Sequence, residues 1–175
     1  SKISGFNTPN KVVATFKIPS PKPINWSALV VALDAVNDPG NLGTIIRLCD
    51  WFGIENLICS ETTVECFNPK VVQASMGSHT RVNITYMDLE KALPLAPNCM
   101  GTFMDGMSIY EQNLPDEGLL VLGNEANGIS QDIEALVDTR LSIPRFGNLK
   151  QTESLNVANA AAILLSEFKR KLTET

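Results

Sequence analysis

Two kinds of apolar pattern alternate along the chain. Ala28-Leu-Val-Val-Ala-Leu-Asp-Ala-Val36 is an almost unbroken β-rich apolar run, the pattern of a strand buried on both faces. Residues 37–41, with Pro39 and Gly40, form a turn cluster. From Leu42 to Phe52 the period changes: Ile45, Ile46, Leu48, Cys49 and Phe52 fall on one side of a helix that Gly53 closes. The alternation then repeats, predicting strands over 56–59, 81–84, 100–104, 119–122 and 140–143. It predicts helices over 69–76, 87–93, 131–137 and 155–172. Strands separated by helices imply an α/β fold with a mostly parallel sheet covered by helices on both faces. In such sheets ligands bind beyond the carboxyl ends of the strands.

Three segments beyond those ends carry unusual residues. After the first strand comes Asn37-Asp-Pro-Gly-Asn-Leu-Gly43, with Arg47 one helical turn further on. Glycines there let backbone approach a ligand and leave helix amides pointing outward. Arg47 either tilts back toward that mouth or is a surface arginine beside an ordinary turn. After 119–122 comes Gly123-Asn-Glu-Ala-Asn-Gly128, where Glu125 either accepts from a ligand hydroxyl or amine or caps the next helix. After 140–143 a polar loop leads to Ser154 and Asn156, which are either ligand groups or helix caps. Together they outline one pocket rich in backbone, amide and hydroxyl groups and poor in ionisable bases. That chemistry suits transfer of an already activated group better than hydrolysis.

Composition narrows the class. A chain of 175 residues with 44% hydrophobic content fits one globular domain. No uncharged apolar run approaches 18 residues, so no membrane span is expected. Cys49, Cys59, Cys66 and Cys99 have no CxxC spacing, and His79 is the single histidine, which disfavours a metal site or a Ser-His-Asp triad. The cysteines read as reduced, buried thiols of a cytoplasmic protein. The net charge is −5, unevenly spread. Residues 1–33 hold four lysines and no acid, 34–139 hold four bases against sixteen acids, and 140–175 hold six against three. The positive ends are either docking points for a polyanion or solvated termini. No GxGxxG follows the first strand and no GxxxxGK[ST] occurs, which removes support for dinucleotide and P-loop folds.

The three segments resemble, in order and spacing, the three motifs of the SpoU (TrmH-type) branch of the SPOUT RNA methyltransferases. Asn41, Gly43 and Arg47 match the first, Leu122-Gly-Asn-Glu125 with Gly128 the second, and Ile143-Pro144 with Ser154-Leu-Asn-Val-Ala158 the third. The resemblance covers roughly residues 28–170. It implies a sheet whose C-terminal segment is threaded into a deep trefoil knot, a homodimer, and methyl transfer from S-adenosylmethionine to a ribose 2′-hydroxyl of tRNA or rRNA. It implies that Thr102, Leu122, Gly123, Gly128, Ile143, Leu155 and Asn156 hold the cofactor. Tight backbone packing in the knot would draw on Gly123, Gly128, Gly147 and the small face Ala158, Ala161 and Ala162. It also implies catalytic roles for Asn41, Arg47, Glu125, Ser154 and Asn156. Because a guanidinium stays protonated, Arg47 is expected to position and polarise rather than to act as a base.

Residues 1–24 read as a connector and first-strand region, and 25–175 as the methyltransferase domain. An N-terminal RNA-binding domain, common in relatives, is expected to precede it. The nine residues between Pro144 and Ser154 make a longer loop than the family's compact one and leave Arg145 and Lys150 to meet RNA. Two other readings compete: a catalytically silent relative that binds cofactor or RNA, and an unrelated doubly wound small-molecule-binding module.

Overall fold

The structure is a computed structural model that describes residues 15–147 and 154–170. Six strands form one sheet: β1 (Leu29–Leu33), β2 (Asn56–Cys59), β3 (Asn83–Tyr86), β4 (Cys99–Ser108), β5 (Gly118–Leu122) and β6 (Thr139–Ser142). Their order is β3-β2-β1-β5-β4-β6 and every pairing is parallel. The helices are α1 (Pro39–Trp51), α2 (Pro69–Ser75), α3 (Leu89–Ala92), α4 (Gln131–Glu134) and α5 (Val157–Arg170). β1 lies centrally between β2 and β5, and all five of its residues are buried, which explains its unbroken apolar run. Leu29, Val31 and Leu33 face a core shared with α1, α2 and α5. Val30 and Ala32 face the opposite core with Leu89 and Ala92 of α3 and Ile133 of α4. The predicted α/β class and two-sided covering hold.

Several boundaries move for local reasons. α1 starts three residues before the predicted Leu42, because Asp38 caps it by accepting from the Asn41 amide at 2.8 Å and Pro39 occupies the first turn. The turn cluster is therefore the helix start, and Asn41 already belongs to the helix. β3 begins at Asn83 rather than 81, after a short helical turn over Ser78–Thr80. There the Arg81 guanidinium bonds Asp50 of α1, which holds that carboxyl below its usual range. α4 stops at Glu134, and residues 136 and 137 continue only as tightened turns bonded three residues back. Residues 15–25 form neither helix nor strand, so β1 is the first strand among the described residues. Lys22 is held against the sheet edge by two bonds between its backbone and the Asn83 side chain.

All four cysteines are buried and unpaired. Burial pushes the Cys49 thiol up to about 12 and Cys66 and Cys99 up to about 11. Among the described residues no helix is long and apolar enough to cross a membrane. Residues 148–153 of the loop leading to Ser154, Lys150 among them, lie outside the described residues.

Gly43 has a different job from the one its motif suggested. It lies inside α1 where α2 crosses. A Cβ there would stand 2.5 Å from Ala74 Cβ and 2.8 Å from the Val71 carbonyl oxygen. The glycine permits helix–helix contact, with no ligand required. Gly43→Ala is therefore expected to lower the urea-unfolding free energy by about 1–3 kcal/mol. Wild-type stability in that variant would show that the two helices are not held this close.

Candidate active site

The loop after β5 is built almost entirely from its own polar groups. The Asn124 and Gly128 backbones exchange two hydrogen bonds, of 2.8 and 2.9 Å. Asn124 Oδ1 accepts from the amides of Ala126 and Asn127, closing an Asx-type turn inside the loop. Its Nδ2 donates to the Ala35 carbonyl at 2.6 Å, which fastens the loop to the end of β1. Ala35 itself takes a positive φ of 55°, and the preceding Asp34 accepts from the Ser130 amide at 2.7 Å. Gly123 lies so close to the returning chain that a Cβ would sit 2.2 Å from the Gly128 carbonyl carbon. Gly128 turns back with φ of 72°, a conformation glycine adopts without strain. Glu125 is thus presented on a rigid hoop.

From that hoop a chain of side-chain bonds crosses all three sequence segments. Asn41 Nδ2 donates to Glu125 Oε1 at 2.7 Å, and Asn156 Nδ2 donates to Asn41 Oδ1 at 2.9 Å. Asn156 Oδ1 accepts from the amides of Ala158 and Asn159, so the same residue caps α5. Asn156 therefore caps α5 with one end and bonds Asn41 of the first segment with the other. Glu125 is no helix cap: its Oε1 is taken by Asn41, and Oε2 has no partner among the described residues.

Beside this chain lies a cleft of about 810 Å³, at the carboxyl ends of β5 and β6 as expected for such a sheet. Of the predicted cofactor residues, Thr102, Leu122, Gly123, Gly128, Ile143 and Leu155 line it, and so do Glu125 and Ser154. Asn41, Arg47 and Asn156 do not. Arg47 is exposed on α1 and has no hydrogen bond or ion pair among the described residues. Thr102 donates its hydroxyl to the Val121 carbonyl at 3.2 Å, so it contributes a methyl and a shape to the cleft. Arg145 lines the mouth. Gly147, expected among tightly packed positions, has nothing within 4 Å of where its Cβ would lie, because it stands on an open loop. Ala158 and Ala161 are buried as expected.

Sequence reasoning missed several participants. Phe103, Met104 and Glu134 line the cleft, and Asp34 and Asn124 brace it. Only Asn124 had a local signal, the Asn-x-x-Asn-Gly pattern of a side-chain-closed turn. No three His, Cys, Asp or Glu side chains among the described residues gather as metal ligands.

Residues 28–166 match the SpoU rRNA Methylase family. The chain belongs to that family. It is 33% identical, over 97% of its length, to a 23S rRNA (guanosine(2553)-2′-O)-methyltransferase of Bacillus subtilis, and spans 68% of that protein. It is 34% identical over 82% of its length to a 23S rRNA (guanosine-2′-O-)-methyltransferase of Neisseria meningitidis, spanning 58% of it. The crystal structure of the SpoU methyltransferase AviRb from Streptomyces viridochromogenes, in complex with AdoMet, superposes with a TM-score of 0.78 at 30% identity. That match covers 91% of this chain and 68% of the other. SpoU membership explains why the motifs converge, and the geometry shows which atoms join them.

The hoop yields a sharp expectation. Gly123→Ala cannot keep the crossing with Gly128, so the Asn124 and Gly128 amides should exchange with solvent at least about tenfold faster. Hydrogen exchange read by NMR or mass spectrometry checks this, and unchanged protection would contradict the close approach.

Proposed function

We propose that this SpoU-family chain transfers a methyl group from S-adenosylmethionine to a ribose 2′-hydroxyl of RNA. The observation that carries the reading is the Glu125–Asn41–Asn156 chain, which gathers three segments separated by 84 and 115 residues at the edge of a ligand-sized cleft. The relatives' names favour rRNA over tRNA as substrate.

The cleft suits an adenosine-type ligand. Its walls are backbone of the hoop, apolar Leu122, Ile143 and Leu155, and the small Thr102, Gly123 and Gly128. These residues would hold the cofactor. When bound, S-adenosylmethionine supplies a methyl group activated by its sulfonium. The protein's task is alignment. Glu125 Oε2 accepts the ribose hydroxyl's hydrogen bond and takes its proton as the oxygen is methylated. Asn41 occupies Oε1 and so aims Oε2. Asn156 acts through Asn41 as a positioning residue, and Ser154 at the rim contacts the ribose. Arg47, on the same helix as Asn41, pairs with a substrate phosphate and polarises the hydroxyl while staying protonated.

Two inherited features complete the reading. The family's deep trefoil knot is carried over from the SpoU resemblance. A second copy pairs on the face around Phe52, Tyr110 and Ile163, where exposed Trp51 and a groove of about 430 Å³ leave apolar surface uncovered.

The test is incubation with tritiated S-adenosylmethionine and rRNA or tRNA from cells lacking the enzyme, followed by digestion to nucleosides. Label is expected in 2′-O-methylnucleosides; label on a base would contradict the reaction class. Arg47→Ala should lose at least about a hundredfold in rate while binding cofactor within about twofold of wild type. Full activity in that variant would remove Arg47 from the mechanism. Asn156→Asp keeps the cap, so stability should stay within about 0.5 kcal/mol. It lacks the donor for Asn41, and its rate should fall at least about tenfold. Equal rates would show that the hydrogen-bonded chain is idle.

A further inference from the structure

β4 and β6 pair in two stretches that do not join smoothly. Met100–Thr102 runs against 139–141, then Met107 and Ser108 run against 141 and 142. Leu141 faces both Thr102 and Met107, so residues 103–106 are looped out of the ladder. Bulges of this kind re-aim side chains beside sites. Here the excursion turns Phe103 and Met104 into the wall of the cleft.

The bulge is pinned at its foot and at its tip. At the foot, Gly106 lies where a Cβ would be 2.5 Å from the Leu141 carbonyl carbon, and Ser142 Oγ donates to the Gly106 carbonyl at 2.9 Å. At the tip, Arg140 of β6 does three things at once. Its guanidinium lies 3.6 Å over the centroid of the Phe103 ring. It donates to Asp105 Oδ1 at 2.6 Å and also bonds Glu134 of α4, another residue lining the cleft. The Phe103 ring also lies against Gly101, where a Cβ would be 2.6 Å from Phe103 Cε2. The ring therefore touches both a glycine and a guanidinium. Without Arg140, Asp105 and Glu134 would stand unneutralised beside a ring that had lost its cation.

We infer that Arg140 is a positioning residue for the cofactor: by clamping Phe103, Asp105 and Glu134 together it holds the 103–106 bulge as one rigid wall of the cleft. This rests on the reading of that cleft as the S-adenosylmethionine site. Arg140 touches neither the hydroxyl nor its proton, so its contribution falls on cofactor affinity and leaves turnover alone. A planar fork that spans two carboxylates while stacking on a ring is beyond lysine.

Isothermal titration with S-adenosylhomocysteine tests this on the wild type, Arg140→Ala, Arg140→Lys, Phe103→Leu and the Arg140→Ala/Phe103→Leu double variant. Arg140→Ala should raise Kd about tenfold, with Arg140→Lys in between. The double variant should be no more than about twofold weaker than the worse single one, because the two residues act as a unit. In steady-state methylation KM for S-adenosylmethionine should rise with kcat within about twofold of wild type. A melt without ligand separates this from general unfolding, and if Arg140→Ala does not fold, Arg140→Lys and Phe103→Leu carry the comparison. Wild-type Kd in the Arg140 variants, strictly additive losses, or a fall in kcat at unchanged Kd would each overturn the inference. Absence of binding by the wild type would overturn the cofactor reading itself, and this inference with it.

Discussion

Glu125 dictates the polarity of the site. A carboxylate only accepts, so the Asn41 amide must turn its NH2 toward Oε1 and its carbonyl away. That carbonyl then requires a donor, and Asn156 supplies Nδ2, which leaves Asn156 Oδ1 for the first amides of α5. One charge thus orders two amides and a helix terminus, with no freedom to flip any member without breaking a bond. Hydrogen bonds to a charged group contribute about 1.5–3 kcal/mol, so the first link is strong enough to set the rest. The second oxygen of Glu125 is left without a partner among the described residues.

Such a chain has meaning only if its three supports are rigid. The hoop carrying Glu125 is closed by its own backbone and bolted to β1 through Asn124. α1, carrying Asn41, is capped by Asp38 and pressed onto α2 at Gly43. α5 buries Val157, Ala158, Ala161, Leu164 and Leu165 against the shared core immediately after Asn156. The fourth wall, the 103–106 bulge, owes its place to β6 rather than to its own strand. Glycines at 43, 101, 106 and 123 share one purpose, which is to let neighbouring atoms come closer than a Cβ allows. They build the cleft's frame, whereas sequence alone suggested glycines meeting a ligand.

Much of this was legible beforehand. The central strands announce themselves because burial on both faces leaves continuous apolar runs, as in Leu29–Leu33 and Gly118–Leu122. The three motif segments stand out because polar and small residues at strand ends have no core duty. Which atom bonds which was not legible, since Asn41 meets Glu125 and Asn156 only through the fold. The start of α1 was misplaced because Pro39 and Gly40 look like a turn until Asp38 is recognised as the cap. The bulge and Arg140 left no local trace: a looped-out stretch is defined by the register of β6, and Arg140 looked like an ordinary strand residue.

The proposed cofactor site joins the second and third segments around one cleft and ties the first to it through Glu125. A crystal structure of the complex with S-adenosylhomocysteine tests it most directly. Ligand density is expected between the 123–128 hoop, Ile143 and Leu155, in contact with Phe103, with the Glu125–Asn41–Asn156 chain intact beside it. Density elsewhere, or a bound ligand with that chain broken, would contradict it.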